Sequence, residues 1–483
     1  MRKQIPPEPI IARLQERIEL DRILQSNSSE LLAVYGRRRV GKTFLIRQHY
    51  RDCLRFEASG LNRSPLRQQL ESFGASLGVW FPGSKRGIPS TWIEAFEWLQ
   101  AELARLPNTK SKKVIFFDEF PWFDTPRSGF LPAFEWFWNT FATRRTDWIV
   151  VICGSAAAWM IRKVIQSKGG LHNRVTRRMR LLPFSIGQTK EYLEHRSILL
   201  DNFQVAQLYM GIGGIPHYLN LVAPGLSAAQ VLQDTCLRQT APLRDEYQHL
   251  YSALFDNHQL HEKIIAALAK RQSGLQRDAL LEQAKITSGG GASTALDELI
   301  AAGFIVCMPT WGIRKKECNY YLTDEFSHFY WTWMTESGQG TNWSEITHSR
   351  RWRSWCGYAF ESLCLKHIET IKRALGIAGV ETKVSSWRYH PKDSTEQGAQ
   401  IDLIIDRADR CMHLCEMKFS ENPYAVDKQT AMELGIKQKV FQLREKTNKT
   451  LFTTLITANG LKPTAYEQQI PCKLTLDDLM DSP

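Results

Sequence analysis

The sequence lacks any apolar run that could cross a bilayer. Its longest, Trp148 to Cys153, holds six residues against the roughly 20 that a membrane helix needs. No C-x-x-C pair occurs among its ten cysteines, which argues against a zinc clip. Cys411 and Cys415 stand four apart on an expected strand, a poor geometry for metal, so reduced core thiols are expected. There is no internal repeat and no low-complexity tract. Met1 to Pro7 lacks the apolar stretch of a signal peptide, and a cytoplasmic protein without membrane contact is expected. Acids are short relative to bases: 50 Asp and Glu against 62 Lys and Arg give a formal charge of +12. That excess favours a polyanionic partner through steering and counterion release, without specifying one.

What is present begins at Gly36-Arg37-Arg38-Arg39-Val40-Gly41-Lys42-Thr43, a complete G-x-x-x-x-G-K-[ST] phosphate-binding loop. Its glycines let successive backbone N–H groups turn inward on phosphate oxygens. Lys42 is placed to reach the β- and γ-phosphates and the Thr43 hydroxyl to ligate Mg²⁺. A buried-strand run (Leu31 to Tyr35) precedes the loop and a helix starts at Thr43, so the phosphates fall at a helix N-terminus. ATP or GTP binding follows.

Lys113 to Phe117 reads as an apolar strand ending in Asp118 and Glu119. In a phosphate-loop NTPase the first acid serves Mg²⁺ and the second polarises the attacking water. A further apolar strand, Trp148 to Cys153, ends in Gly154-Ser155. That hydroxyl can orient water or sense the γ-phosphate, with the N-cap of a following helix as the alternative. In the basic stretch Asn173 to Arg180, one of the arginines is a candidate to stabilise transition-state charge on a neighbouring subunit's nucleotide, a solvated basic face being the alternative. The stripe Phe134, Phe137, Trp138 and Phe141 has helical spacing and reads as core.

Strands alternating with helices predict a mostly parallel sheet. With 483 residues, about three domains are expected on the usual prior. The chain divides on pattern into a core over 1–190, a helical lid over 191–258 broken at Gly211 to Pro216, a small module over 259–340, and a last domain over 341–483. The module offers three short amphipathic helices and a hairpin tipped by Arg314-Lys315-Lys316, the winged-helix arrangement. Trp343 to Trp355 reads as a polar, tryptophan-rich linker.

A second chemical site lies near the C-terminus. Gln400 to Asp406 and His413 to Phe419 read as two strands around the turn Arg407 to Arg410. Glu416 and Lys418, two apart, share a face, and a hairpin can bring Asp402 beside them. Two carboxylates and an ammonium are costly to bury unless a divalent cation compensates, which suits Mg²⁺-assisted phosphodiester hydrolysis. Glu361, interrupting the apolar face of an expected helix, offers a further acid.

Taken together these residues resemble the archaeal-type AAA+-like ATPases whose C-terminal domain is similar to PD-(D/E)xK nucleases. The resemblance covers Gly36 to Thr43, Phe117-Asp118-Glu119, Gly154-Ser155, the Arg174 region before Pro183-Phe184, Gly213 to Pro216, and Asp402 with Glu416-Met417-Lys418. It implies a multidomain α/β protein: a P-loop parallel sheet with helical lid, a winged-helix module and a restriction-endonuclease-like domain. It implies ATP and Mg²⁺ as cofactors, with Gly36 to Thr43 and Ser155 on the nucleotide and Thr43 and Asp118 on metal. It further implies Glu119 and Arg174 as catalytic in ATP hydrolysis. Asp402, Glu416 and Lys418 fall on the nuclease triad and Glu361 on its helical acid, with Glu361, Asp402 and Glu416 on metal. The proline often drawn before the first acid is Ile401 here. The implied partner is nucleic acid, in the first place DNA, with a homo-oligomer if Arg174 acts in trans. The expected function is ATP-dependent control of Mg²⁺-dependent cleavage. Its alternative is a nucleotide-switched DNA-binding regulator with an inactive nuclease-like domain.

Overall fold

The computed structural model describes residues 7–83, 87–165, 171, 174–255, 257–271, 274–312, 318–335, 343–391 and 396–480. They form two compact units that meet in the chain at Leu182–Pro183.

The N-terminal unit is built on five parallel strands: β1 (Glu30–Tyr35), β2 (Leu54–Ser59), β3 (Lys113–Asp118), β4 (Trp148–Gly154) and β5 (Arg177–Arg180), in the order β2-β3-β4-β1-β5. β1, β3 and β4 are buried along their length except for Tyr35 at the end of β1. This is why they read as continuous apolar runs, since helices cover a parallel sheet on both faces. The helices Leu66–Trp80, Trp92–Ala104 and Phe130–Thr140 supply much of that cover. Phe130, Phe134, Phe137 and Trp138 are buried, so the aromatic stripe is core.

β5 departs from the sequence reading. Three of its four residues are arginine and exposed, only Met179 is buried, and the segment still pairs with β1 through Leu32↔Arg177 to Tyr35↔Arg180. A basic surface stretch is here an edge strand. Beyond it the Leu181 N–H donates to the Tyr35 carbonyl at 2.8 Å.

The second unit opens on Pro183-Phe184. The Phe184 N–H donates to Gly214 O at 2.7 Å, and a Cβ on Gly214 would lie 2.1 Å from Phe184 O. Only glycine permits that approach. Helices follow, among them Ile186–His195 and Asn202–Ile212. Next come three helices, His258–Ala269, Arg277–Gln283 and Gly290–Ala302, and a three-stranded sheet of β6 (Leu275–Gln276), β7 (Ile305–Pro309) and β8 (Cys318–Leu322), ordered β6-β8-β7. Arg314, Lys315 and Lys316 lie outside the described residues. Cys307 and Cys318 form a disulfide across the β7–β8 hairpin, which corrects the expectation that all the cysteines are reduced.

The stretch from Trp343 to Trp355 is not a linker. It holds the helix Trp343–Thr347 and the start of the helix Arg350–Lys366. Trp343, Trp352 and Trp355 are buried with Trp333 in a set of edge-on and stacked rings. Arginines between the tryptophans point outward and lend the sequence its polar look.

The remaining strands are β9 (Thr382–Tyr389), β10 (Ala399–Arg407), β11 (Cys411–Lys418), the short β12 (Tyr424–Ala425), β13 (Thr450–Thr457), the short β14 (Leu461–Lys462) and β15 (Cys472–Leu474). A mixed sheet runs β15-β13-β11-β10-β9, with β9, β10 and β11 antiparallel and β13 and β15 parallel to β11. The helix Lys428–Glu445 connects β12 to β13. Among the described residues no helix is long and apolar enough to cross a membrane.

Candidate functional site

The phosphate loop leaves β1 and enters the helix Lys42–His49. Gly41 is the helix's N-cap residue at φ +90°, with open space where a Cβ would point. Gly36 is required by proximity, since its Cβ would stand 2.1 Å from Leu181 O. Arg39 also takes positive φ (66°) and is exposed, a strained position for a side chain that clusters at ligand sites. Arg37 and Val40 are buried and Arg38 is half-buried.

Lys42 is buried and donates to the Gly36 carbonyl at 2.9 Å and the Arg37 carbonyl at 2.8 Å, so its ammonium lies inside the loop. The Thr43 hydroxyl donates to Asp118 Oδ2 at 2.8 Å, joining the loop to the end of β3. The Glu119 N–H donates to Asp118 Oδ1 at 3.0 Å. Glu119 sits in left-handed backbone at φ 46°. Ser155 N–H and hydroxyl both donate to Glu119 Oε2, at 3.2 and 2.8 Å. The N-cap position of the next short helix is Ala156, so Ser155 is not a cap.

One contributor escaped the sequence reading. Arg13, almost fully buried, donates from Nη2 to the Val40 carbonyl at 3.1 Å and bonds Glu16, bracing the loop. Its sequence carries no local mark beyond a basic residue before the first helix. Arg174 lies in an exposed turn before β5, and among the described residues no interaction ties it to the loop.

The second constellation forms where β10, β11 and two helices meet. Asp402 lies one step beyond the Leu403↔Cys415 pair, within an irregularity of the β9 pairing between Ile401 and Ile404. Such bulges re-aim side chains. Its Oδ1 accepts from Gln400 Nε2 at 2.7 Å. Glu416, buried on β11, accepts from Lys418 Nζ at 2.9 Å and from Lys437 Nζ at 2.6 Å, one ammonium per oxygen. Glu361 comes from the helix Arg350–Lys366.

The electrostatics join these groups. Burial, then Asp402 and Glu416, push Glu361 up to about 8. Burial, then Glu416, raise Asp402. Burial also works against ionised Glu416, but Lys437 and Lys418 outweigh it and hold the carboxyl below its usual range. Lys418 is raised despite burial because Glu416 holds its proton. Three acids crowded out of water thus lean on two lysines for compensation.

Among the described residues no group of three or more His, Cys, Asp or Glu side chains stands ready to hold a metal ion. Thr43 and Asp118 are joined by a hydrogen bond, and Glu416 gives both oxygens to ammonium groups. Lys437 carries the difference and was not singled out from the sequence. It lies 19 residues past Lys418 on a helix, beyond any strand-spacing signal.

The parallel sheet, the loop and the Thr43–Asp118 link give the N-terminal unit the architecture of a P-loop nucleotide-binding domain. Residues 11–222 match the family model described as an ATPase domain predominantly from Archaea. Over 426 residues the chain is 23% identical to an uncharacterized protein of Methanocaldococcus jannaschii, covering 85% of this chain and 88% of that one. Among solved structures it is similar to the Walker-type ATPase of Pyrococcus abyssi (17% identity, 68% of this chain and 99% of that chain, TM-score 0.43). It is also similar to the Aeropyrum pernix ORC2 protein in its ADPNP–ADP complexes (13% identity, 76% and 97%, TM-score 0.43).

Proposed function

We propose that the chain binds and hydrolyses ATP and uses its nucleotide state to gate Mg²⁺-dependent cleavage of nucleic acid, DNA in the first place, by its C-terminal region. The observation that carries the reading is the gathering of Asp402, Glu416, Lys418 and Glu361 in a chain that also holds an intact phosphate loop.

In the ATPase, Gly36 to Thr43 would cradle the phosphates, and Thr43 with Asp118 would hold Mg²⁺, which when bound neutralises charge on the phosphoryl oxygens. Glu119 takes the proton of the attacking water, and Ser155 fixes the carboxylate that does so. Arg174 is proposed to act in trans within a homo-oligomer. In the C-terminal region Glu361, Asp402 and Glu416 would hold Mg²⁺, which when bound supplies an activated water and shields the leaving oxygen. Lys418 orients the attacked phosphate, and Lys437 keeps Glu416 ionised. The module over 259–340 is proposed to act as a winged helix on DNA. Support for gating comes from Leu181, which abuts Gly36 just before the chain passes into the second unit.

The test is a matrix of ATP and Mg²⁺ or Mn²⁺ against single-stranded, duplex and branched DNA, with Lys42→Ala and Asp402→Ala as controls. Cleavage abolished by Asp402→Ala and altered by Lys42→Ala is expected. No cleavage of DNA or RNA under any condition refutes it.

A second reading has its own observation. Both oxygens of Glu416 are engaged by lysines, a state that needs no metal. It makes the chain a nucleotide-switched DNA-binding regulator. Nucleotide-dependent DNA binding unaltered by Asp402→Ala would select it.

A further inference from the structure

Glu416 is held by cations of the chain's own. Lys418 reaches it from two residues along β11, at 2.9 Å on Oε1, and Lys437 from the helix Lys428–Glu445, at 2.6 Å on Oε2. Lys437 acts more strongly than Lys418 on both Glu416 and Asp402. The carboxylate is buried, whereas the Lys437 side chain keeps 29% of its surface in water. One end of the pair is therefore fixed, and the other rides on a flexible four-carbon stem that opens to solvent.

These contacts conflict with a divalent cation on the same carboxylate. With Lys437 Nζ 2.6 Å from Oε2, an Mg²⁺ ion at its usual distance of about 2.1 Å from that oxygen would stand no more than about 4.7 Å from the ammonium. At that range, beside a buried carboxylate, a single and a double positive charge repel strongly. An ion on Oε1 meets Lys418 in the same way. The acids thus already carry their compensation, in keeping with the lack of a metal-ready group among the described residues.

Lys437 is the lysine placed to leave. Lys418 is tied to the strand that carries Glu416, while Lys437 comes from another element and its ammonium has water on one side. A phosphodiester would offer that ammonium a charged acceptor in exchange for the carboxylate, and Oε2 of Glu416 would then be free for a cation.

We propose that Lys437 is a lock on the C-terminal acids: in the free chain it keeps Glu416 closed to divalent cations, and the phosphates of a bound DNA strand draw it away. Nucleic acid and metal then enter together. The inference rests on the proposed nuclease reading and adds the regulation of its site.

The experiment uses the full, nucleotide-free chain. Electron paramagnetic resonance reads free Mn²⁺ at constant ionic strength for wild type, Lys437→Met, Lys437→Arg and Asp402→Asn, each with and without a duplex oligonucleotide. Binding missing from Asp402→Asn defines the site, and subtracting that variant's curve removes ions held by the DNA itself. Without DNA, Lys437→Met should bind Mn²⁺ at this site at least tenfold tighter than wild type, and Lys437→Arg should match wild type within threefold. DNA should tighten wild type at least fivefold, the lower end of the roughly 5- to 150-fold span of coupled sites, and should leave Lys437→Met within twofold. If Lys437→Met does not fold, wild type with and without DNA still decides. Equal affinity in wild type and Lys437→Met without DNA overturns the inference, as does a wild-type affinity that DNA leaves unchanged, or no Mn²⁺ at this site in any chain. Cleavage is scored apart. A site that opens in Lys437→Met while no chain cleaves any substrate supports the lock and refutes the nuclease reading. Cleavage abolished by Asp402→Ala, with equal Mn²⁺ affinity in wild type and Lys437→Met, supports the nuclease and refutes the lock.

Discussion

Ser155 spends both its backbone N–H and its hydroxyl on one oxygen of Glu119, at 3.2 and 2.8 Å. The residue at the end of β4 therefore sets where the acid after β3 points, and Glu119 reaches that position through left-handed backbone.

Replacing Ser155 by alanine removes the shorter of the two bonds and leaves the loop intact. Steady-state ATP turnover should fall about tenfold, while ADP affinity measured with a fluorescent analogue changes less than threefold. Glu119→Gln should fall further, by about 10² or more, as loss of a general base does. Equal turnover in wild type and Ser155→Ala would remove Ser155 from any positioning role.

Nucleotide binding should appear as stability. A ligand at 100 times its Kd adds about 2.7 kcal/mol, so ADP should raise the melting temperature of wild type measurably. Lys42→Ala loses the ammonium that lies inside the loop and should show no shift at the same concentration. Differential scanning fluorimetry decides this.

Glu361 titrates with a raised value of about 8 against 4.5 in an unfolded chain. The folded state then holds a proton that the unfolded state gives up, so stability from this group is complete below about pH 4.5 and is lost as pH rises through about 8. Urea unfolding of wild type and Glu361→Gln should give similar midpoints at pH 5. At pH 9 the variant should be the more stable, because it spares a buried carboxylate beside Asp402 and Glu416. A variant less stable at pH 9 than at pH 5, relative to wild type, would contradict the raised value.

The Cys307–Cys318 bridge closes a loop of sequence separation 11, for which chain entropy gives about 3 kcal/mol. Thiol labelling of denatured, unreduced protein should find eight of the ten cysteines, and all ten after reduction. Cys307→Ser should lower stability by about that amount. Ten thiols without reductant would show the pair open.

The residues gathered at each site were more legible in the sequence than their setting. Gly36 to Thr43 declares itself because every fixed position of the motif has a physical task, and Asp118-Glu119 stood out because two acids close an apolar strand some 75 residues after that loop. Insertion of β4 between β1 and β3 leaves no local mark, since strand order is a tertiary property. β5 was hidden because an edge strand needs only one inward residue, Met179, and can spend the rest on arginine. Trp343 to Trp355 misled for the opposite reason: a helix that buries its tryptophans keeps polar residues between them. Glu416 and Lys418 were found from a spacing of two. Lys437 was not, because it reaches Glu416 from another element, and a sequence read locally does not bring 416 and 437 together.

The arginines of β5 bear also on how the molecule behaves in bulk. The last strand of a sheet presents an unpaired row of backbone donors and acceptors, a template on which another chain can polymerise. Here that row is four residues long and carries three exposed arginines. A strand from a second molecule docking there would have to strip water from like charges. Sheet growth is checked at this margin by repulsion.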